Sequence, residues 1–228
     1  SAVSTIVDTA DPLVYAASSS GWKNSSTQTI ISWAGDTGTS GSVYSSGLAS
    51  VQYFKTYNGT TDSAGTDMAQ GAKCDVNGTT TGGLYYNKYT STLTMNDGTT
   101  TVAVTATDAA GRSGSVTGKT FLVDTTAPNI TSVTTNVTGN KMNIANHSGA
   151  ILTVASSDIN SSLTGHTDDV SGLKEIVLKK GGKTLSTTAI SAATGTNTAT
   201  TAVSVPDGNI VEGDNVFTVT VTDIAGNT

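Results

Sequence analysis

Val102-Ala103-Val104-Thr105-Ala106-Thr107-Asp108-Ala109-Ala110-Gly111-Arg112 places Val102, Val104 and Ala106 on one side of an extended chain and threonines on the other. Phe217-Thr218-Val219-Thr220-Val221-Thr222-Asp223-Ile224-Ala225-Gly226-Asn227 repeats the phrase about 115 residues later. Period-two alternation of this kind marks a half-buried strand of an antiparallel sheet, one face on a core and the other in water. The Asp-x-Ala-Gly that follows reads as a turn. Asp caps the turn with its carboxylate and Gly accepts a positive φ, which closes a hairpin onto the next strand.

Two further landmarks recur in the same order around this phrase. Val7-Asp8-Thr9-Ala10-Asp11-Pro12 matches Val123-Asp124-Thr125-Thr126-Ala127-Pro128, and Ser46-Gly47-Leu48 matches Ser171-Gly172-Leu173. The spacings between copies are 116, 125 and 115 residues, so length differences fall in loops between the landmarks. The expected organisation is a first domain over 8–123 and a second over 124–228. Residues 1–7, Ser-Ala-Val-Ser-Thr-Ile-Val, resemble the stretch Ser115–Val123 that follows the first Asp-x-Ala-Gly. They read as the last strand of an upstream repeat, and the second domain reads as stopping before its own copy. Strand exchange between molecules is one consequence considered.

Composition supports an all-β chain. Ser and Thr number 71 of 228 residues, with 25 Gly and only 12% charged residues. Thr suits a pleated surface, and Gly and Asn supply turns. Further strands are expected at Thr27–Trp33, Ala49–Tyr57, Tyr89–Met95, Asn129–Thr135, Ala150–Ser156, Leu173–Lys180 and Thr200–Val205. About seven short strands per hundred residues is the pattern of an immunoglobulin-like sandwich.

Taken together, Val-Asp-Thr-Thr-Ala-Pro at a junction, Ser-Gly-Leu before a mid-domain strand and Thr-Asp-x-Ala-Gly near the end resemble tandem bacterial Ig-like repeats of large cell-surface and adhesin proteins. The match spans both copies. It departs at Ala10-Asp11 in the first linker and at Arg112, where the pattern has Asn. The resemblance implies two tandem immunoglobulin-like β-sandwiches, an extracellular cell-surface location and a non-catalytic spacer role in a semi-rigid stalk. Neighbouring repeats of the same polypeptide would be its partners. For some related repeats it also implies calcium at domain junctions. Asp124 and its equivalent Asp8 are the first candidates for such a site, with Asp108 and Asp223 beside them; Ca²⁺ takes roughly six to eight hard oxygens.

Other chemistries find little foothold. The net charge of −6 with a single Arg gives no basic stripe for nucleic acid. No stretch approaches the roughly 18 apolar residues of a membrane-spanning helix, so no membrane insertion is expected here; targeting and anchoring segments would lie outside this stretch. Cys74 has no neighbouring His to make a thiolate, and His166-Thr167-Asp168-Asp169 reads as loop chemistry rather than a metal site. No nucleophile elbow, phosphate loop or zinc spacing occurs, and no catalytic residue or resident cofactor is expected.

The aromatic residues are unevenly spread. Both Trp and all seven Tyr precede residue 90. Trp33 is expected in the core. Trp22, Tyr85, Tyr86 and Tyr89 are read either as packing or as a ligand surface, since aromatic faces stack on sugar rings and anchor interfaces. The alternative function is therefore a carbohydrate- or protein-binding module, meeting a host or cell-surface glycan or protein through the first domain's aromatic loops.

Overall fold

In the computed structural model, residues 7–36, 45–74, 86–137, 139, 149–162, 170–190 and 197–228 are described. Among them the regular structure is all β. The strands are β1 (Leu13–Ala16), β2 (Trp22–Lys23), β3 (Thr27–Gly35), β4 (Leu48–Tyr57), β5 (Thr60–Thr61), β6 (Thr66–Asp67), β7 (Ala69–Cys74) and β8 (Tyr86–Thr94). They continue with β9 (Gly98–Asp108), β10 (Ser113–Val123), β11 (Asn129–Thr135), β12 (Ile151–Ser157), β13 (Leu173–Lys180), β14 (Lys183–Ala189), β15 (Thr198–Ser204) and β16 (Thr218–Asp223). The chain divides into two compact units, Ser1–Gly21 with Thr27–Leu122, and Trp22–Ser26 with Val123–Thr228. The proposed upstream strand at 1–7 lies outside the described residues except for Val7, which is exposed.

Each unit has two sheets, a sandwich-like arrangement. In the first, one sheet has the order β1-β3-β8-β7 and the other β10-β9-β4-β5, with β6 also on β4; β2 groups with the second unit. In the second, the sheets run β11-β12-β15 and β14-β13-β16. β1, β3 and β8 thus correspond to β11, β12 and β15, while β4 and β9 correspond to β13 and β16. The alternation predicted for β9 holds: Val102, Val104 and Ala106 are fully buried and the intervening residues are not. In the second unit Val154, Leu173, Ile176, Leu178, Val203 and Val221 form one core fed by both sheets.

The central antiparallel pair is built alike in both copies. Val51 faces Ala106 and Tyr53 faces Val104; Ile176 faces Val221 and Leu178 faces Val219. Each pair carries a register irregularity at the same point, between Leu48 and Ser50 and between Leu173 and Glu175. A bulge adds an unpaired residue and bends its strand, so Ser-Gly-Leu sits where the strand is re-aimed.

Trp33 departs from expectation. The buried face of β3 is Ile30, Ser32 and Ala34, and Trp33 lies on the other side, part-exposed. Ser32 is tolerated in the core because its hydroxyl donates to Met68 Sδ at 3.5 Å.

Candidate functional site

The landmarks repeated in the sequence converge at one end of each sandwich. In the second unit Asp124, Asp158 and Asp223 bring carboxylate oxygens within 4.8 Å of one another; in the first, Asp8, Asp36 and Asp108 do the same. Each Asp ends or follows a different strand or linker, so the cluster is where distant parts of a unit are tied together.

The wiring is nearly identical. Asp124 Oδ2 accepts from the Ser171 N–H at 2.7 Å and its Oδ1 from Thr126 N–H at 3.0 Å. Asp8 repeats both bonds, with Ser46 N–H at 2.7 Å and Ala10 N–H at 3.0 Å. Asp158 Oδ2 accepts from Gly172 N–H at 2.8 Å, and Asp36 Oδ2 from Gly47 N–H at 2.6 Å. Gly172 and Gly47 have φ of 85° and 80°, a conformation costly for any residue with a Cβ. That is the physical reason for Gly in Ser-Gly-Leu: the loop must turn two consecutive N–H groups onto two carboxylates. The Ser side chain then reaches onward, accepting from Ala225 N–H at 3.1 Å in one unit and from Ala110 N–H at 3.2 Å in the other.

The Asp-x-Ala-Gly turn completes the node. Asp223 Oδ1 accepts from Gly226 N–H at 2.6 Å and Asn227 N–H at 2.8 Å. Asn227 Nδ2 donates to Asp223 Oδ2 at 2.7 Å and to the Asp124 carbonyl at 2.9 Å. In the first unit Arg112 N–H donates to Asp108 Oδ1 at 2.9 Å. Its side chain turns away instead, to an exposed ion pair with Asp11 at 2.8 Å. Asp108 Oδ2 is left buried with no hydrogen-bond donor, and so is Asp36 Oδ1.

Electrostatics follow this geometry. Burial holds the Asp124 carboxyl above the usual carboxylate range, against the pull of the Ser171 and Thr126 donors, and the Asp223 charge adds to the rise. Asp36 is also raised, first by burial and then by the Asp8 and Asp108 charges. Asp8 lies lower than usual because Ser46 and Ala10 donate to it.

Three hard carboxylates per node are the donor chemistry of Ca²⁺. The residues of the first node fit such an ion: two carboxylate oxygens there, on Asp36 and Asp108, are buried and take no hydrogen bond. In the second node Asp124 and Asp223 already take hydrogen bonds on both oxygens. Sequence reading named Asp8, Asp108, Asp124 and Asp223. It missed Asp36 and Asp158. Their flanks differ, Gly35-Asp36-Thr37 against Ser157-Asp158-Ile159, and the shared signal is an Asp directly after the equivalent strands β3 and β12.

Among the described residues, the aromatic candidates Trp22, Tyr86 and Tyr89 fall in different settings. Tyr89 is 5% exposed and belongs to the core. Tyr86 stands edge-on to Tyr15, ring centroids 5.6 Å apart. Trp22 is part-buried in β2 and groups with the second unit, where the Asp124 N–H donates to the Lys23 carbonyl at 2.9 Å. Tyr85, His147, His166, Asp168 and Asp169 lie outside the described residues. Cys74 is a buried free thiol.

No family model matches the chain, and no curated protein matches it. Among solved structures it is similar to a chain of a 1.5-MDa bacterial ice-binding adhesin described for host cell surface retention, with TM-score 0.35 and 18% identity. That alignment covers 96% of this chain and 62% of the adhesin chain, so this chain spans less than two thirds of its length. It is also similar to the fibronectin(III)-like modules of Clostridium thermocellum CbhA, with TM-score 0.32, 14% identity, and coverage of 94% and 88%.

Proposed function

We propose that this chain is a pair of immunoglobulin-like repeats from a bacterial cell-surface protein of the adhesin type. Its role is that of a non-catalytic extracellular spacer. One observation carries the reading: three sequence landmarks, separated by loops of different length, rebuild the same aspartate node twice. A catalytic site needs one constellation with a substrate cleft. A duplicated constellation that holds backbone N–H groups of the linker and of the Ser-Gly-Leu loop is what a mechanical module needs, because it fixes strand ends and linker together. Neighbouring repeats of the same polypeptide are the partners this implies. The direct test is concatenation. Two, four and six copies imaged by atomic force microscopy should give contour lengths rising in proportion to copy number, whereas a compact particle of constant aspect would overturn the spacer role.

The nodes also supply the place for calcium. Three carboxylates in each node, and the two buried unpartnered oxygens of the first, support Ca²⁺ as a stiffening ligand. Binding to the folded state alone raises stability by about 2.7 kcal/mol when free Ca²⁺ is a hundredfold above Kd. Calorimetry in EDTA and in millimolar Ca²⁺ tests this, the first unit gaining more than the second. Melting curves that superimpose would remove calcium from the account.

A further inference from the structure

β8 and β15 are the same strand of the repeat, yet only one of them has a neighbour on both sides. β8 lies between β3 and β7, whereas among the described residues β15 pairs with β12 and ends its sheet. The path of the chain explains the difference. After β4 the hairpin at Asn58-Gly59 returns only Thr60–Thr61 along that strand, and the chain goes on to lay β7 beside β8. After β13 the hairpin at Gly181-Gly182 returns all of β14, so that segment stays on the other sheet. Two other edges of the second unit carry guards against pairing. β11 has a register shift between Ile130 and Ser132; β14 begins with Lys183 and faces a shift between Leu178 and Lys179. β15, Thr198-Ala199-Thr200-Thr201-Ala202-Val203-Ser204, pairs with β12 without a shift and carries no Pro and no charge.

The bonds at the two ends of β15 fix which of its main-chain groups face outward. Val205 N–H donates to the Ala150 carbonyl at 2.9 Å, and the Asn197 carbonyl accepts from Asp158 N–H at 2.7 Å. Opposed residues of an antiparallel ladder alternate between exchanging both main-chain bonds and exchanging none. Ala199, Thr201 and Val203 therefore turn their N–H and C=O to β12, and Thr198, Thr200 and Ala202 turn theirs to the open edge. The Ser204 carbonyl points the same way and accepts from Ser186 Oγ at 3.5 Å, which ends the open stretch.

We propose that this edge pairs with β15 of a second copy of the chain, antiparallel, about a two-fold axis at Thr200. In that register Thr200 stands opposite the partner's Thr200, and Thr198 opposite the partner's Ala202. Each such pair exchanges two bonds, so every open N–H and C=O of Thr198, Thr200 and Ala202 is satisfied and the pairing stops short of Ser204. The faces match as well. The exposed Thr198, Thr200 and Ala202 meet their like on the solvent side, and Ala199 lies beside the partner's Thr201 on the core side. In strand addition main-chain bonds give affinity and side chains choose the partner. The side chains here are small and uncharged, with no ring or charge to select a foreign sequence, and two copies of an acidic chain meet no repulsion along the edge. Like surfaces join, so the assembly closes at two chains. The inference does not rest on the spacer reading, since the edge lies within one sandwich, and either can fail without the other.

Sedimentation velocity over about a thousandfold range of concentration, reaching roughly millimolar chain, tests it. The chain should pass from monomer to dimer and no further. Thr200→Pro removes the central open-edge N–H without touching a bond to β12, and Thr200→Lys sets two like charges against each other at the axis. Each should weaken dimerisation at least about tenfold. Thr200→Lys changes an exposed side chain, so at monomeric concentration its second unit should melt as the unaltered chain does. Hydrogen exchange reads the register. The amides of Thr198, Thr200 and Ala202 should gain protection as concentration rises, while those of Ala199, Thr201 and Val203 are protected throughout. A chain monomeric at every concentration would overturn the proposal and leave the edge to a strand of a different protein. A dimer untouched by Thr200→Lys, protection gained on other strands, or a series that grows past two chains would overturn it as well.

Discussion

Asp108 and Asp223 stand at the same point of the repeat, both essentially without solvent exposure, yet one is satisfied and the other is not. Asp223 has hydrogen bonds on both oxygens because Asn227 returns its side-chain amide to the carboxylate. Asp108 keeps only the backbone half of that arrangement, and Arg112 is drawn to Asp11 in the linker. One substitution therefore separates the satisfied Asp223 from the unsatisfied Asp108 while the backbone wiring stays the same. The frame of the site is set by main-chain N–H groups, and the side chain at position 112 or 227 decides what remains for another ligand.

The largest break in this comparison should come from the linker aspartates. Asp124→Ala leaves the Ser171 N–H without its acceptor in a buried place and the Thr126 N–H without it in a part-buried one. Unpaired buried donors cost about 1–3 kcal/mol each, so the second unit should lose roughly 2–5 kcal/mol. Asp8→Ala removes the equivalent bonds from a part-exposed residue, where water can replace them, and the loss in the first unit should be smaller. Calorimetry with hydrogen exchange to resolve the two units measures both; equal losses would mean that burial does not govern the node.

Next in size are the glycines at the bulge. Gly172→Ala and Gly47→Ala force a Cβ onto φ near +80°, at a cost of about 1–2 kcal/mol each. Because both backbones are alike, the two losses should match within error. A large difference in chemical denaturation would show that one node relaxes where the other cannot. A third glycine acts through space instead. At Gly114 in the first unit a Cβ would collide with the Pro12 carbonyl oxygen, so Gly114→Ala should displace the linker and weaken the Arg112–Asp11 pair with it.

Arg112→Asn sharpens the comparison from the other side. It gives the first node the amide that the second already has, satisfying Asp108 Oδ2 for a gain of about 1 kcal/mol. The exposed ion pair with Asp11 that it gives up is worth about 0–1 kcal/mol. A small rise in the first unit's melting temperature is expected, together with weaker Ca²⁺ binding there. A fall would mean that the linker contact outweighs the buried oxygen.

These effects also mark what the sequence made legible. The three landmarks were visible because each is fixed by backbone geometry: a positive-φ Gly, a bulge, a carboxylate that must meet particular N–H groups. The long strands were visible through alternation, and β11 and β13 fall where it placed them. Asp36 and Asp158 were not visible, since their role needs only a carboxylate at a strand end and leaves neighbouring residues free. β7 and β14 escaped for a related reason: all of β7 but Cys74 is exposed, and β14 has no buried face, so little core selects their pattern. Trp33 was misplaced because Ile30-Ile31 lets β3 be read in either phase, and the chosen phase buries a Ser that only its partner Met68 makes acceptable.

The smallest expected effect concerns protons, and its sign differs between the aspartates. Asp36 and Asp124 have folded pKa values raised above the ordinary 3.8, so the folded chain takes up protons before the unfolded chain does. Their contribution to stability is complete below 3.8 and is lost as pH rises through the raised values. Without metal, both units should therefore become slightly more stable as pH falls from neutral toward 3.8. Asp8 is lowered, so its contribution is present above 3.8 and lost as pH falls through its folded value. Below 3.8 the first unit should then decline, while Asp124 gives the second no such loss. Ca²⁺ would reverse the first trend, because protons compete with it for the same carboxylates and acidification would release the stabilising ion. Melting temperatures of each unit from pH 7 to 3, in EDTA and in Ca²⁺, separate these cases. Profiles that fall monotonically from neutrality in EDTA would contradict the assignment of the raised carboxyls.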